Sequence, residues 1–261
     1  MMTTAAITMA NTMINTMTNT KSIAEPAPRP PVRITSVVYL LYFLTVMSAE
    51  FLVKGLVVPG DAAATANNIL AHESLFRAGF AINLIATALY IAVTALFYEL
   101  FKPVNRSLAL LAAFFSLVGC AIQALSYVCY LAPFVLLGGA PYLSVFKLEQ
   151  LQALVLMLLK LRSQAEQIDL VFFGFFDLLI GCLILRSTFL PRILGALMAL
   201  AGLGWMIFLF PPLANSLSHY ILPVGFLAEL LLLLWLLVKG VNLPRWQEQA
   251  RAASLMTNDC R

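Results

Sequence analysis

The sequence predicts an all-α polytopic membrane protein: six transmembrane helices, with two amphipathic helices lying at the outer interface. Three observations carry this reading. Of the 261 residues, 62% are hydrophobic and only 11% are charged, which is more apolar surface than a soluble core needs. The apolar residues gather into six runs long enough to cross a bilayer, separated by polar turns. Lys and Arg then concentrate in alternate turns, as they do on the cytoplasmic side of a membrane protein.

Residues 1–33 are rich in Met, Thr and Asn and end in Pro26, Pro28, Pro30 and Pro31. They read as a disordered cytoplasmic tail without the continuous apolar core of a signal peptide. The membrane domain occupies residues 34–242. Its first span covers about Ile34 to Val57 and carries Glu50 four residues before Lys54, a favourable same-face pair on a helix. The turn Pro59-Gly60-Asp61 follows, with Asp61 placed to cap a short helix. In that helix Ala62, Ala66, Ile69 and Leu70 form an apolar stripe opposite Thr65, Asn67, Asn68 and His72, the pattern of a helix lying on a membrane surface.

The second span runs from about Leu75 to Phe101 and the third from about Leu108 to Leu131, joined by the basic turn Lys102-Pro103-Val104-Asn105-Arg106. Residues 138–165 form an outer loop. Within it Ala153–Leu159 is too short to cross roughly 30 Å of hydrocarbon at about 1.5 Å per residue, so it reads as the second amphipathic, interfacial or partly inserted helix. The fourth span, residues 166–186, is apolar yet carries Asp169 and Asp177. The fifth, about Phe189 to Leu213, places Gly195, Ala199 and Gly202 in one row of small residues, a surface that permits close helix contact and would suit a second copy of the chain. The sixth, about His219 to Lys239, has Glu229 near its middle and stops at Lys239-Gly240, and residues 243–261 read as a cytoplasmic C-terminal tail.

Orientation follows from the charges. With six spans and the N-terminus inside, Lys21, Arg29, Arg33, Lys102, Arg106, Arg186, Arg192, Lys239, Arg245, Arg251 and Arg261 fall inside, while Lys54, Arg77, Lys147, Lys160 and Arg162 fall outside, 11 against 5. A further span at residues 148–163 would invert the later turns and give 7 inside against 9 outside. A multi-pass protein of the cytoplasmic membrane with both termini cytoplasmic is therefore expected.

The polar residues within the spans are the candidate site. A charged group at the bilayer centre costs about 2.5–3.5 kcal/mol to insert, so such groups usually face a bundle interior, a cavity or a partner. Glu50, Asn83, Gln123 and Asp169 fall in the outer parts of their spans, and Asp177 and Glu229 fall near mid-membrane. Together they are expected to form a substrate or proton pocket open to the outside, with Lys54 and Arg77 as its cations. The competing reading makes them interhelical hydrogen bonds and nothing more.

Other chemistries find less support. Cys120, Cys129 and Cys182 lie in spans, and Cys120 and Cys129 stand on opposite helix faces, so they cannot share a metal. His72 and His219 have no ligand-like spacing, and no nucleophile elbow, phosphate loop or dinucleotide fingerprint occurs. Neither a cofactor, a metal site nor a catalytic residue is expected. The modest net charge of +4, with no basic stripe interleaved by aromatics, fits anionic lipid rather than nucleic acid.

Several stretches together carry a resemblance: Val58 through Leu70, Pro103 through Arg106, Glu149 through Gln152, Leu170-Val171-Phe172-Phe173-Gly174, Arg186-Ser187 with Pro191-Arg192, and Glu229 through Gly240. This combination, over about residues 34–242, resembles the bacterial integral membrane family catalogued as domain of unknown function 4386. The resemblance implies a bacterial multi-spanning protein and no activity. A histidine is common in that family two residues after the Leu-Val-Phe-Phe-Gly motif, where this chain has Phe176, so a histidine-based haem or metal site is not implied here. Three functions stay open: binding or transport of a small solute or lipid, a structural or regulatory role toward another membrane protein, and an embedded enzyme using the acids.

Overall fold

The computed structural model describes residues 30–258, so nearly all of the expected N-terminal arm and Cys260 lie outside the described residues. The chain folds into helices α1 (Val32–Val53), α2 (Ala62–Ala71), α3 (Glu73–Phe101), α4 (Arg106–Tyr130), α5 (Ala132–Leu136), α6 (Leu148–Arg186), α7 (Arg192–Trp205), α8 (Pro211–Val238) and α9 (Leu243–Asn258). Six of these elements are long and apolar enough to cross a membrane: α1, α3, α4 continued by α5, α6, α7 extended by a 3-10 turn to Leu209, and α8 from Ser216. The protein is a multi-pass membrane protein. Successive spans alternate in direction, and the start of α1 and the end of α8 line one groove, which marks the basal end of the bundle.

Helix α6 is the axis of the molecule, packing against α2, α4, α5 and α7. Its 39 residues extend about 58 Å at 1.5 Å each, far beyond the roughly 30 Å of hydrocarbon. The amphipathic segment expected as a separate interfacial helix is therefore the first half of this same helix. Gln152, Val155, Leu156 and Leu159 form its buried stripe. Of these, Val155 and Leu159 join a small second core with Leu56, Ile69, Phe76, Tyr127 and Tyr130, which makes a cap at the distal end. A much larger core of aromatic and aliphatic side chains fills the bundle itself.

Two local expectations change on this cap. Asp61 does cap α2, accepting from the Ala64 amide at 2.8 Å. The buried face of α2, however, is Thr65, Ala66 and Ile69, while Leu70 is exposed. Thr65 tolerates burial because its hydroxyl donates to the Asp61 carbonyl at 2.7 Å and accepts from the Val58 amide at 3.0 Å. The Glu50–Lys54 pair does not form: α1 stops at Val53, Lys54 leaves helical geometry, and both side chains are exposed.

The small-residue row of α7 is used within the chain. A Cβ at Gly202 would lie 2.5 Å from the Gly174 carbonyl oxygen, and one at Gly181 would lie 2.7 Å from the Gly195 oxygen and 2.5 Å from the Ala199 nitrogen. Gly195, Ala199 and Gly202 thus meet α6 backbone to backbone, which leaves this face no room for a second copy. The C-terminal segment is a helix too. Trp246 of α9 is buried and donates its indole N–H to the Leu100 carbonyl at 2.9 Å, tying α9 to the basal end of α3.

Candidate functional site

Helical spacing on α6 positions the site. Arg162, Glu166, Asp169, Phe173 and Asp177 follow one another at three- and four-residue intervals, so they share the face that α6 turns into the bundle. Asp169 and Asp177 are 2% and 1% exposed. A cavity of about 170 Å³ opens beside this face. Its polar lining is Gln123, Asp169 and Glu229; Tyr42, Phe43, Met47, Phe173 and Phe226 supply most of its apolar wall.

Asp177 lies behind the cavity rather than on it. Its Oδ2 accepts from Trp205 Nε1 at 3.1 Å. The Glu229 carboxyl lies close enough to Asp177 for the two to interact electrostatically, and Tyr39 donates to Glu229 Oε2 at 3.4 Å. Asp177 Oδ1 is buried with no hydrogen-bond partner among the described residues. Room for the indole comes from Gly225 of α8, where a Cβ would lie 2.7 Å from Trp205 Cε2.

Asp169 is held differently. No group among the described residues donates to its Oδ2, although the atom is buried. One side of it is the cavity, and toward the distal cap stand Glu166 and Arg162, paired at 2.5 Å. The Arg162 guanidinium also lies over the Tyr130 ring at 4.6 Å and the Tyr127 ring at 5.9 Å, and its Nε is likewise buried without an acceptor among the described residues. Arg162 is thus the cation nearest this acid. Arg77 instead pairs with Glu73 and stacks on Phe134 at 4.0 Å, and Lys54 is exposed, so the two cations expected from sequence do not serve the pocket.

The remaining expected residues divide. Gln123 reaches the cavity and accepts from Thr87 Oγ1 at 2.9 Å. Asn83 is buried but turns along its own helix, donating to the Gly79 carbonyl at 2.9 Å. Glu50 is exposed at the distal end of α1, on the side of the Arg162–Glu166 pair. The structure therefore brings Gln123, Asp169, Glu229 and Asp177 together and leaves Asn83 and Glu50 apart. Sequence reasoning missed Arg162, Trp205 and the tyrosines 39, 42 and 90. The spacing from Arg162 to Glu166 and Asp169 could have revealed the first, and an indole deep in a span that needs an acceptor could have revealed the second.

A family model described as a domain of unknown function, DUF4386, matches residues 34–240. The chain belongs to this family. All of the cavity lining in this DUF4386 protein lies within the matched region, whereas α9 lies outside it. An uncharacterised protein of Archaeoglobus fulgidus is 27% identical over 156 residues, which cover 59% of this chain and 78% of that one. No solved structure matches.

Proposed function

We propose that this DUF4386 protein binds the cationic, hydrogen-bond-donating end of a small amphiphile in the cavity beside Asp169, and passes it across the membrane or holds it there. One observation carries the reading: a carboxylate oxygen, buried and without a donor among the described residues, on the wall of a mostly apolar cavity. Leaving such a group unsatisfied costs about 1–3 kcal/mol or more, and an ammonium would recover that while its alkyl part meets Tyr42, Phe43 and Phe173. Gln123 and Glu229 offer further acceptors. At about 170 Å³ the cavity is below the roughly 300–1,000 Å³ of drug-sized sites, so it suits a short alkylammonium or the head of a longer chain.

Access is lateral in this reading. Met47 of α1 and Phe226 of α8, which line the cavity, are 43% and 37% exposed on the bundle perimeter, between two helices that touch through Phe43 and Phe226 with ring centroids 5.2 Å apart. The distribution of Lys and Arg supports a cytoplasmic-membrane protein with the basal end inside, so that the cavity sits in the outer half. A ligand series tests the site. Hexylammonium should stabilise the purified protein saturably, hexanol weakly and hexanoate not at all; equal effects of the three would remove the carboxylate from the account.

A further inference from the structure

The corner between α6 and α7, at the opposite end from the cap, has a different chemistry. The turn Ser187–Pro191 is pinned from both sides: Phe189 and Leu190 are buried in the core, and the α8–α9 connection and α9 itself bond to the turn's backbone. The Asn242 amide donates to the Phe189 carbonyl at 3.1 Å, and Arg245 Nη1 donates to the Thr188 carbonyl at 3.3 Å. The Thr188 amide donates to Gln249 Oε1 at 3.3 Å.

A cavity of about 500 Å³ lies in this corner, lined by Ser187, Thr188, Leu190, Arg192, Arg245 and Glu248. A second, of about 390 Å³, shares Thr188, Leu190 and Arg245 and adds Lys239. Three cations thus face one acid, and none of the ion pairs among the described residues uses Arg192, Arg245 or Lys239. Helix α7 starts at Arg192 with no side chain capping its first amides, so its positive end adds to the field. Next to the corner, Ile193, Leu185 and Leu243 are exposed apolar side chains.

We infer that this corner binds the headgroup of an anionic phospholipid, with Arg192 and Arg245 on the phosphate and the acyl chains lying along the apolar side chains beside it. Free phosphate shares the anionic chemistry but has no use for that apolar margin. Arginine suits the role because its planar fork donates two bonds to one phosphate. Glu248 opposes it, as the one acid on the rim.

Native mass spectrometry of the full-length protein, titrated with phosphatidylglycerol or phosphatidylcholine, tests the site. The expected result is a phosphatidylglycerol adduct that persists where phosphatidylcholine is lost, weakened about tenfold by R192Q/R245Q, a loss of about 1.4 kcal/mol. It should be unchanged by K102Q/R106Q, which removes two cations elsewhere at the basal end. Inorganic phosphate at millimolar concentration should not displace it, and Glu248→Gln should tighten it. The inference is overturned if R192Q/R245Q retains the adduct, if K102Q/R106Q loses it equally, or if phosphate alone competes it away. Should R192Q/R245Q fail to fold, Glu248→Gln decides alone: tighter binding supports the site, and unchanged or weaker binding rejects it.

Discussion

Trp205 Nε1 donates to Asp177, the most deeply buried carboxyl in the bundle, beside Glu229, and its loss should be felt as stability rather than as ligand affinity. Trp205→Phe keeps a ring in the slot under Gly225 and removes only the donor, so thermal unfolding should report a loss of about 1–3 kcal/mol. Asp177→Asn should cost much less, because an amide can still accept from the indole and donate to Glu229, whereas Asp177→Leu should cost at least as much as the Trp205 change. A silent Trp205→Phe would mean that the indole bond does not hold the pair. Depth along the sequence indicates that Asp177 and Glu229 can meet, since both spans run in the same direction and carry their acids near the middle. Depth says nothing about facing, however, and so could not separate Asp169, on the cavity, from Asp177 behind it, or show that Asn83 turns back onto its own helix.

Helix α6 shows what a composition-based reading of an element can and cannot see. Its amphipathic first half and its apolar second half differ in character, and that difference reads as two helices. No Gly or Pro breaks the chain between them, and the buried stripe of Val155, Leu156 and Leu159 continues into Arg162, Glu166 and Asp169 on one unbroken face. Continuity also brings Arg162 from an expected outer surface to the edge of the site. Close packing of α6 on α7 holds this face in place through Gly174, Gly181, Gly195 and Gly202. The row on α7 was legible, but its occupant was not, because a small-residue row fits any helix with a complementary row. Gly181→Val should force α6 and α7 apart and destabilise the bundle by about 1–3 kcal/mol or more, read as a lower unfolding temperature. The same substitution at Gly139, where a Cβ would meet nothing within 4 Å, would strain only a local turn, at a φ of +73°. Equal losses at the two sites would contradict tight α6–α7 contact.

For the whole molecule, six apolar runs and their turns were readable because span length and charge placement are set by the bilayer rather than by side-chain packing. The distal cap was not, since its small core joins the outer ends of three spans, at Leu56, Phe76 and Tyr127 with Tyr130, to Ile69, Val155 and Leu159 of the two segments read as interfacial helices, and nothing in any one stretch shows that they meet. Orientation remains the proposal that the charge distribution supports. A reporter joined after Arg192 or Arg245 should report cytoplasm and one near Asp61 or Lys147 the exterior, and an exterior signal after Arg192 would reverse the orientation. The central claim, that Asp169 is the binding group of the cavity, is tested most directly by calorimetric titration of hexylammonium into the native protein and into Asp169→Asn. The native protein should bind one equivalent per chain, and Asp169→Asn should fold normally yet bind about tenfold more weakly or worse, a loss of about 1.4 kcal/mol. Equal affinity in the two proteins would contradict the claim.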